Sequence, residues 1–418
     1  MSNIEIAVLA TLDSKSDEAH FIADALNRRG ASPWVMDLSL KPHDNDWGAV
    51  RGEALAREAG KSWQEVGAYS RADAAAAMVE GGTRILQTKF NAGDLAGVIA
   101  VGGANGSAMA CAMMRDLPPL LPKVMVTPVA ATAAVQWHVA QSDIVMFPTI
   151  GDTALNRFTR AVMDNAVHAV AAMAEAWVTR AAEAADRTGE APPLVGLTTF
   201  GNVQPAVDRM SDGLAEQGFE VMQFHASGPG GRALEFLASR GELAGVLDLT
   251  TSELTDQLTG GVYSAGDARL RAAGAAGLPQ LVVPGSIDFT NWWVGQVPER
   301  YRDRAFYQYN AENLLMRTNA SEFAKLGETM AERLNAATGP VTMMIPMLGF
   351  SQLTERHAHD LDGKDLGPWR EPESERIFVD ALRAHFPKGR IELLDLHIND
   401  PAFADACVDE FATLMKQS

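Results

Sequence analysis

The strongest chemical signal in the chain is Val98-Ile99-Ala100-Val101-Gly102-Gly103-Ala104-Asn105-Gly106-Ser107. An apolar β-type run leads into glycines, and a helical pattern from Ala108 to Arg115 follows. Glycines let the backbone turn sharply and approach a ligand, and a helix start offers free N–H groups and a positive dipole end. That combination suits an anion, above all the phosphate tail of a nucleotide. The spacing is neither GxGxxG nor the lysine-containing P-loop, so it does not name the ligand, and a tight turn without ligand uses the same glycines. A second loop, Thr11-Leu12-Asp13-Ser14-Lys15, ends the first apolar run. Lys15 is suited to neutralise phosphate, and Asp13 to hold magnesium or a ribose hydroxyl. The competing reading is a polar turn in which Asp13 or Ser14 caps the next helix. Ligands of parallel sheets gather outside the carboxyl ends of strands, where these two loops can meet. Thr11, Asp13, Lys15, Gly102, Gly103, Asn105, Gly106 and Ser107 are the candidate cofactor contacts.

The second half repeats this kind of placement. Phe224-His225-Ala226-Ser227-Gly228-Pro229-Gly230-Gly231-Arg232 joins a strand to a helix through glycines and adds a titratable imidazole. Asp248-Leu249-Thr250-Thr251-Ser252-Glu253 is a strand end dense in hydroxyls and carboxylates, able to bind a polar substrate or a metal. It reads equally as a helix start, with Thr251 or Ser252 as N-cap and Glu253 in the first turn. Pro284-Gly285-Ser286-Ile287-Asp288 and His397-Ile398-Asn399-Asp400-Pro401 follow two further apolar runs. One histidine at a strand end is usually structural, but His225, Asp288, His397 and Asp400 recur at one kind of position, which predicts a polar cleft. His225, Asp248, Glu253, Asp288, His397 and Asp400 are therefore the candidate catalytic residues. Ser227, Gly228, Gly230, Gly231, Arg232, Thr250 and Thr251 are the candidate substrate contacts. There is no GxSxG elbow and no HExxH. His357 and His359 form an H-x-H pair that reads as an exposed loop in preference to a metal site.

The elements that must carry these residues alternate. Ile4 to Ala10 is an apolar strand, Glu18 to Arg29 has helical periodicity and stops at Gly30, and Trp34 to Leu38 is the next strand. Helix Arg71 to Glu80 is expected to end at Gly81-Gly82, strand Gly97 to Val101 enters the glycine loop, and Asn156 to Ala182 is a long alanine-rich helix. Strand–helix–strand alternation is the mark of a parallel α/β sheet. It resumes after Pro192-Pro193, through strands Leu194 to Thr198, Glu220 to Phe224 and Ala244 to Leu249. The polar, turn-rich stretch between Arg180 and Pro193 is the expected boundary, giving domains 1–188 and 194–418.

Bulk properties narrow the partners. Lys and Arg number 35 against 53 Asp and Glu, a net charge of -18, and no basic patch interrupts it. Such a surface repels nucleic acid and anionic membranes, yet a few backbone N–H groups can still hold one phosphate tail. Two cysteines, Cys111 and Cys407, build neither a disulfide framework nor a zinc ribbon. No basic leader follows Met1, and no apolar run reaches membrane-spanning length, so a cytoplasmic protein is expected.

The residues also resemble a known family. Ala10-Thr11-Leu12-Asp13-Ser14-Lys15, the Gly102-Gly103 loop, Ser142-Asp143-Ile144 and Asn156-Arg157 match in the first half. Phe224-His225-Ala226-Ser227-Gly228, Asp248-Leu249-Thr250-Thr251, Leu315-Met316-Arg317-Thr318 and His397-Ile398-Asn399-Asp400-Pro401 match in the second. In order, over the whole chain, they look like a bacterial and fungal family that includes the N-terminal domain of a plant tobamovirus-resistance protein. The resemblance implies two Rossmann-like α/β domains, each with a mainly parallel sheet flanked by helices. It also implies ATP binding in the first domain, dimerisation, and a TIM-barrel partner protein; magnesium is expected to accompany the nucleotide. The chain departs from the family pattern at Ala104 and Asn105, and at Pro128, which lacks an N–H that could face phosphate. The expected function is a metabolic enzyme using ATP, or a related phosphorylated cofactor, on a small organic acid. The alternatives are a nucleotide-responsive regulatory subunit without turnover, and a hydrolase or isomerase working in the second domain alone.

Overall fold

The first apolar run is β1 (Glu5–Ala10), followed by β2 (Ser32–Asp37), β3 (Gly97–Val101), β4 (Lys123–Thr127) and β5 (Val145–Pro148). In this computed structural model, which describes residues 4–45, 47–185, 191–387 and 389–417, they form one parallel sheet in the order β2-β1-β3-β4-β5. Side chains alternate across it. Ile6, Val8 and Ala10 join Ile22, Leu26, Val167 and Val170 on one face, while Ala7 and Leu9 join Leu55, Met78 and Met109 on the other. Helices Leu12–Arg28 and Arg157–Ala185 therefore cover one face, and Arg71–Asn91 with Ala104–Arg115 the other.

Two boundaries differ from the sequence expectation in the same way. Helix Leu12–Arg28 begins directly after Thr11, and helix Ala104–Arg115 directly after Gly103, so both polar loops are largely first helical turns. The helix from Arg71 also runs through Gly81-Gly82 to Asn91 instead of ending there. A Cβ on Gly81 would lie 1.8 Å from the Leu55 carbonyl, and one on Gly82 2.5 Å from Met113 Cε. These glycines let neighbouring helices approach closely; they do not stop one.

Contacts divide the chain into two units, Met1–Glu190 and Ala191–Ser418. Residues 186–190, on which much of the expected linker falls, lie outside the described residues, as do Met1, Ser2 and Asn3. The second unit opens with β6 (Leu194–Thr199), β7 (Glu220–His225), β8 (Gly245–Thr250) and β9 (Gln280–Gly285). It continues with β10 (Phe289–Trp293), β11 (Phe306–Gln308), β12 (Asn313–Arg317), β13 (Val341–Pro346), β14 (His357–His359), β15 (Asp365–Pro368) and β16 (Arg390–Leu394). A parallel sheet runs β16-β13-β9-β8-β6-β7. As in the first unit, the second strand lies outside the first and the third on its other side. Both units are thus doubly wound, Rossmann-like α/β domains.

An antiparallel sheet, β10-β12-β11-β14-β15, is added between strands of the second parallel sheet. Its short strands carry too little periodicity to be read from sequence. His357 and His359 lie in β14, not in a loop, and His357 Nδ1 is 2.8 Å from Asp365 Oδ2. Among the described residues no helix is long and apolar enough to cross a membrane.

Candidate functional site

In the first unit the sheet order reverses between β1 and β3, so the chain leaves their carboxyl ends in opposite directions and opens a crevice there. A cleft of about 1010 Å³ occupies it. Thr11, Asp13 and Lys15 line it from the β1 end, and Gly103, Asn105 and Gly106 from the β3 end. Six of the eight expected cofactor contacts therefore meet in one cavity. The other two build its frame. Gly102 lies beneath the next turn, where a Cβ would sit 3.1 Å from the Gly106 carbonyl carbon. Ser107 is fully buried, its hydroxyl 3.1 Å from the Gly102 carbonyl and 2.7 Å from Thr127 Oγ1, so it ties the turn to β4 and does not face the cleft.

The two loops present different chemistry. Around β1 the amides are already used: Leu12 N–H donates to Asp37 Oδ1 at 3.0 Å, and Asp13 N–H to Ser39 Oγ at 3.0 Å. Asp37 also receives His43 Nε2–H at 2.7 Å; His43 Nδ1 accepts from Asn45 N–H, which fixes that tautomer. At β3 no side chain caps the helix, and its first backbone bond is Ser107 N–H to the Gly103 carbonyl at 2.9 Å. The amides of Ala104, Asn105 and Gly106 are the open end of a twelve-residue helix, with its positive dipole pole behind them. The lining carries three cations, Lys15, Lys41 and Arg71, and one carboxylate, Asp13. That local balance is opposite to the -18 of the whole chain. Lys41, in the loop after β2, and Arg71, the first residue of helix Arg71–Asn91, were not among the expected contacts, and no motif marks them in the sequence. Pro128 does not line the cleft. It starts a short 3₁₀ turn that Thr127 caps, so its missing N–H removes nothing from the cavity.

In the second unit most of the expected residues already bond to other groups of the protein. Asp248 and Glu253 are buried acceptors of one buried guanidinium. Arg269 donates to Asp248 at 2.5 and 2.7 Å and to Glu253 at 2.6 Å. The other Glu253 oxygen accepts the N–H groups of Gly228 (2.7 Å) and Gly231 (3.0 Å). The glycine turn thus holds an anion, but it is the protein's own carboxylate. Gly231 is required for that approach, since a Cβ there would lie 2.0 Å from Glu253 Oε2. Gly230 packs on the backbone of His225, Arg232 donates to the Ser264 carbonyl at 3.1 Å, and Ser227 N–H folds back on the His225 carbonyl. Thr250 N–H donates to Thr198 Oγ1, and Thr251 Oγ1 to the Val283 carbonyl. The Thr250 hydroxyl itself has no partner among the described residues.

His397 and Asp400 likewise bond within the protein. His397 Nδ1 accepts from Asn399 N–H, while Nε2 donates toward the Ser351 carbonyl at 3.0 Å and Thr354 Oγ1 at 3.2 Å. Asp400 caps helix Pro401–Met415 through Ala402 N–H at 2.9 Å. Asp288 is buried, accepts from Ser351 Oγ (2.7 Å) and Trp369 Nε1 (2.9 Å), and leaves Oδ1 unpartnered. Burial pushes its carboxyl up to about 6. The adjoining space of about 10 Å³ admits at most a single water. His225 faces a separate cavity of about 200 Å³ with Phe200, Asn202, Tyr263, Asn291 and Tyr309. Partial desolvation lowers its pKa, so the ring is neutral at neutral pH. Of His225, Asp288, His397 and Asp400, from which a polar cleft is expected, only His225 lines this cavity; the other three bond to neighbouring loops or cap a helix.

Comparison with known proteins agrees with the two-unit fold. The N-terminal domain model of the uncharacterised protein family UPF0261 matches residues 4–179, and the C-terminal domain model of that family matches residues 192–415. A UPF0261 protein of Mesorhizobium japonicum is 37% identical over 406 residues, 96% of this chain and 97% of that protein. One from Clostridium tetani is 31% identical, covering 99% of this chain and 100% of that protein. The tomato ToMV resistance protein Tm-1 is 32% identical over 330 residues, 78% of this chain but 42% of its own length. Through both of its domains, the chain belongs to the UPF0261 family.

Proposed function

We propose that the first unit binds ATP with magnesium in the crevice between β1 and β3, and that the protein uses this nucleotide in the metabolism of a small organic molecule. One observation carries the reading: an uncapped helix end opens at the topological switch point into a cleft whose lining has a local cationic excess. In the second unit the equivalent glycine turn is filled by Glu253, so the contrast is internal to the protein. Ala104, Asn105 and Gly106 amides would take phosphate oxygens, with Lys15, Lys41 and Arg71 adding charge. Magnesium keeps several waters and needs only one or two carboxylates besides phosphate; Asp13, exposed and bonded through Oδ1 to Ser14 Oγ, supplies one. Bound magnesium would neutralise phosphate charge; the chain's own part is to orient the tail through those amides.

A regulatory subunit that binds nucleotide without turnover is the second reading. It is favoured by the locking of Asp248 and Glu253 in ion pairs, which removes two expected acid–base groups. The proposal extends to a cytoplasmic homodimer acting beside a TIM-barrel partner protein, which sedimentation and co-purification would test.

The deciding experiment is calorimetric titration with ATP and magnesium, of wild type beside Gly103→Asp. Gly103 has an ordinary φ of -75° and nothing within 4 Å of a built Cβ, so aspartate fits without strain and places a carboxylate at the helix end. Saturable binding weakened at least about tenfold in the variant is the expected result. Absence of saturable binding, or equal binding by the variant, refutes the site. Nucleotide consumption with a panel of small acids then separates the enzyme from the regulator.

A further inference from the structure

The cavity beside His225 has the features of a binding site of its own, independent of any nucleotide. It lies at the carboxyl ends of β6 and β7, the strand ends where doubly wound sheets take ligands, and residues of the antiparallel sheet close it from above. Its volume of about 200 Å³ slightly exceeds the roughly 150 Å³ of a cavity that accepts a benzene ring. Aromatic rings border it: Phe200 is 5.1 Å from the His225 ring and 6.2 Å from that of Tyr263, and the Tyr309 hydroxyl hangs over Gly201. A flat ligand would meet edges and faces here instead of bare backbone.

Charge and hydrogen bonding then restrict its chemistry. The lining contains no Lys, Arg, Asp or Glu, and His225 is neutral. Behind the wall stands Asp256, fully buried, accepting Asn291 Nδ2–H at 2.8 Å and the N–H groups of Asn291 and Tyr263. A carboxylate ligand would meet no counter-charge and would face an acidic group. Two buried asparagines are each half satisfied. Asn202 Oδ1 accepts from Gln352 Nε2 at 2.6 Å, which leaves its Nδ2 donor; Asn291 Nδ2 donates to Asp256, which leaves its Oδ1 acceptor. Neither remaining atom has a partner among the described residues. Both asparagines line the cavity, so one amide donor and one amide acceptor remain for a ligand there.

We propose that this cavity binds an uncharged planar ring carrying a carboxamide or lactam edge, its carbonyl accepting from Asn202 Nδ2 and its N–H donating to Asn291 Oδ1. The pattern distinguishes an amide from the isosteric acid, since a carboxylate offers no donor to Asn291 and brings a charge that nothing compensates.

The test uses nucleotide-free, full-length protein titrated at pH 8 with two isosteric pairs, benzamide against benzoate and nicotinamide against nicotinate, followed by ligand-observed NMR. The amides should saturate at about millimolar concentration, and the acids should bind at least about tenfold more weakly. Tyr309→Ala, at a position 42% exposed, should weaken amide binding about fivefold or more without changing the melting curve. His225→Ala, also at an accessible position, repeats the test should the first variant fold poorly. Equal binding of acids and amides, no saturation by either amide, or amide binding unchanged in a folded variant would each overturn the assignment. None of these outcomes depends on ATP, so failure here leaves the nucleotide site standing, and the reverse holds.

Discussion

Replacing Glu253 by glutamine should destabilise the second unit by about 2–4 kcal/mol, well beyond an ordinary surface change. The side chain is wholly buried and makes three short bonds, to Gly228 N–H, Gly231 N–H and Arg269 Nε–H. Glutamine keeps the shape, and its oxygen can still serve the two glycines. Its amide nitrogen then meets Arg269 Nε–H, donor against donor. Loss of one charge-assisted bond accounts for about 1.5–3 kcal/mol. The remainder comes from a buried guanidinium left with less compensating charge, limited because Asp248 still binds it twice. Urea unfolding followed by tryptophan fluorescence measures this, since Trp292, Trp293 and Trp369 all report on the second unit. The companion variant Glu253→Ala leaves the glycine amides and Arg269 around an empty space, so added acetate should raise its unfolding midpoint and leave wild type unchanged. A glutamine variant within about 0.5 kcal/mol of wild type, or an alanine variant indifferent to acetate, would refute the idea that this carboxylate occupies an anion site.

Two further outcomes follow from packing and burial. Gly81→Ala, normally favourable inside a helix, should here cost about 1–3 kcal/mol or more in a urea titration, because its Cβ would lie 1.8 Å from the Leu55 carbonyl. Burial holds Asp256 up at about 7 and Asp288 at about 6, both raised from 3.8. Between about pH 4 and 7 the folded protein then retains protons that the unfolded chain has released, so stability falls as pH rises through that window. Asp256→Asn should flatten the upper part of that decline in melting curves from pH 5 to 8; an unchanged slope would mean that Asp256 is ionised throughout.

The alternation of strands and helices, both glycine turns and most of the loop residues that line the β1–β3 crevice were legible in the chain because each depends on local preferences. Ile4 to Ala10 must be a buried strand, and Gly102-Gly103 before a helix must make a tight turn. What glycine does was less legible. Gly81-Gly82 looked like a helix stop, yet the pair exists for the Leu55 backbone and the Met113 side chain, which arrive from distant sequence.

The roles of polar residues were decided by tertiary structure alone. Gly103-Ala104-Asn105-Gly106 and Gly228-Pro229-Gly230-Gly231 look alike as sequence. One stays open and the other is filled, because Glu253 is brought 22 residues back to the Gly231 amide by the β8 turn. His397 and Asp248 carry the residue types of catalysis, but the fold gives each a buried partner, and Asp400 is used to cap helix Pro401–Met415. A sequence states which groups can ionise or bond; only the assembled fold states which of those bonds are already made, and the reactive groups are those it leaves unfinished.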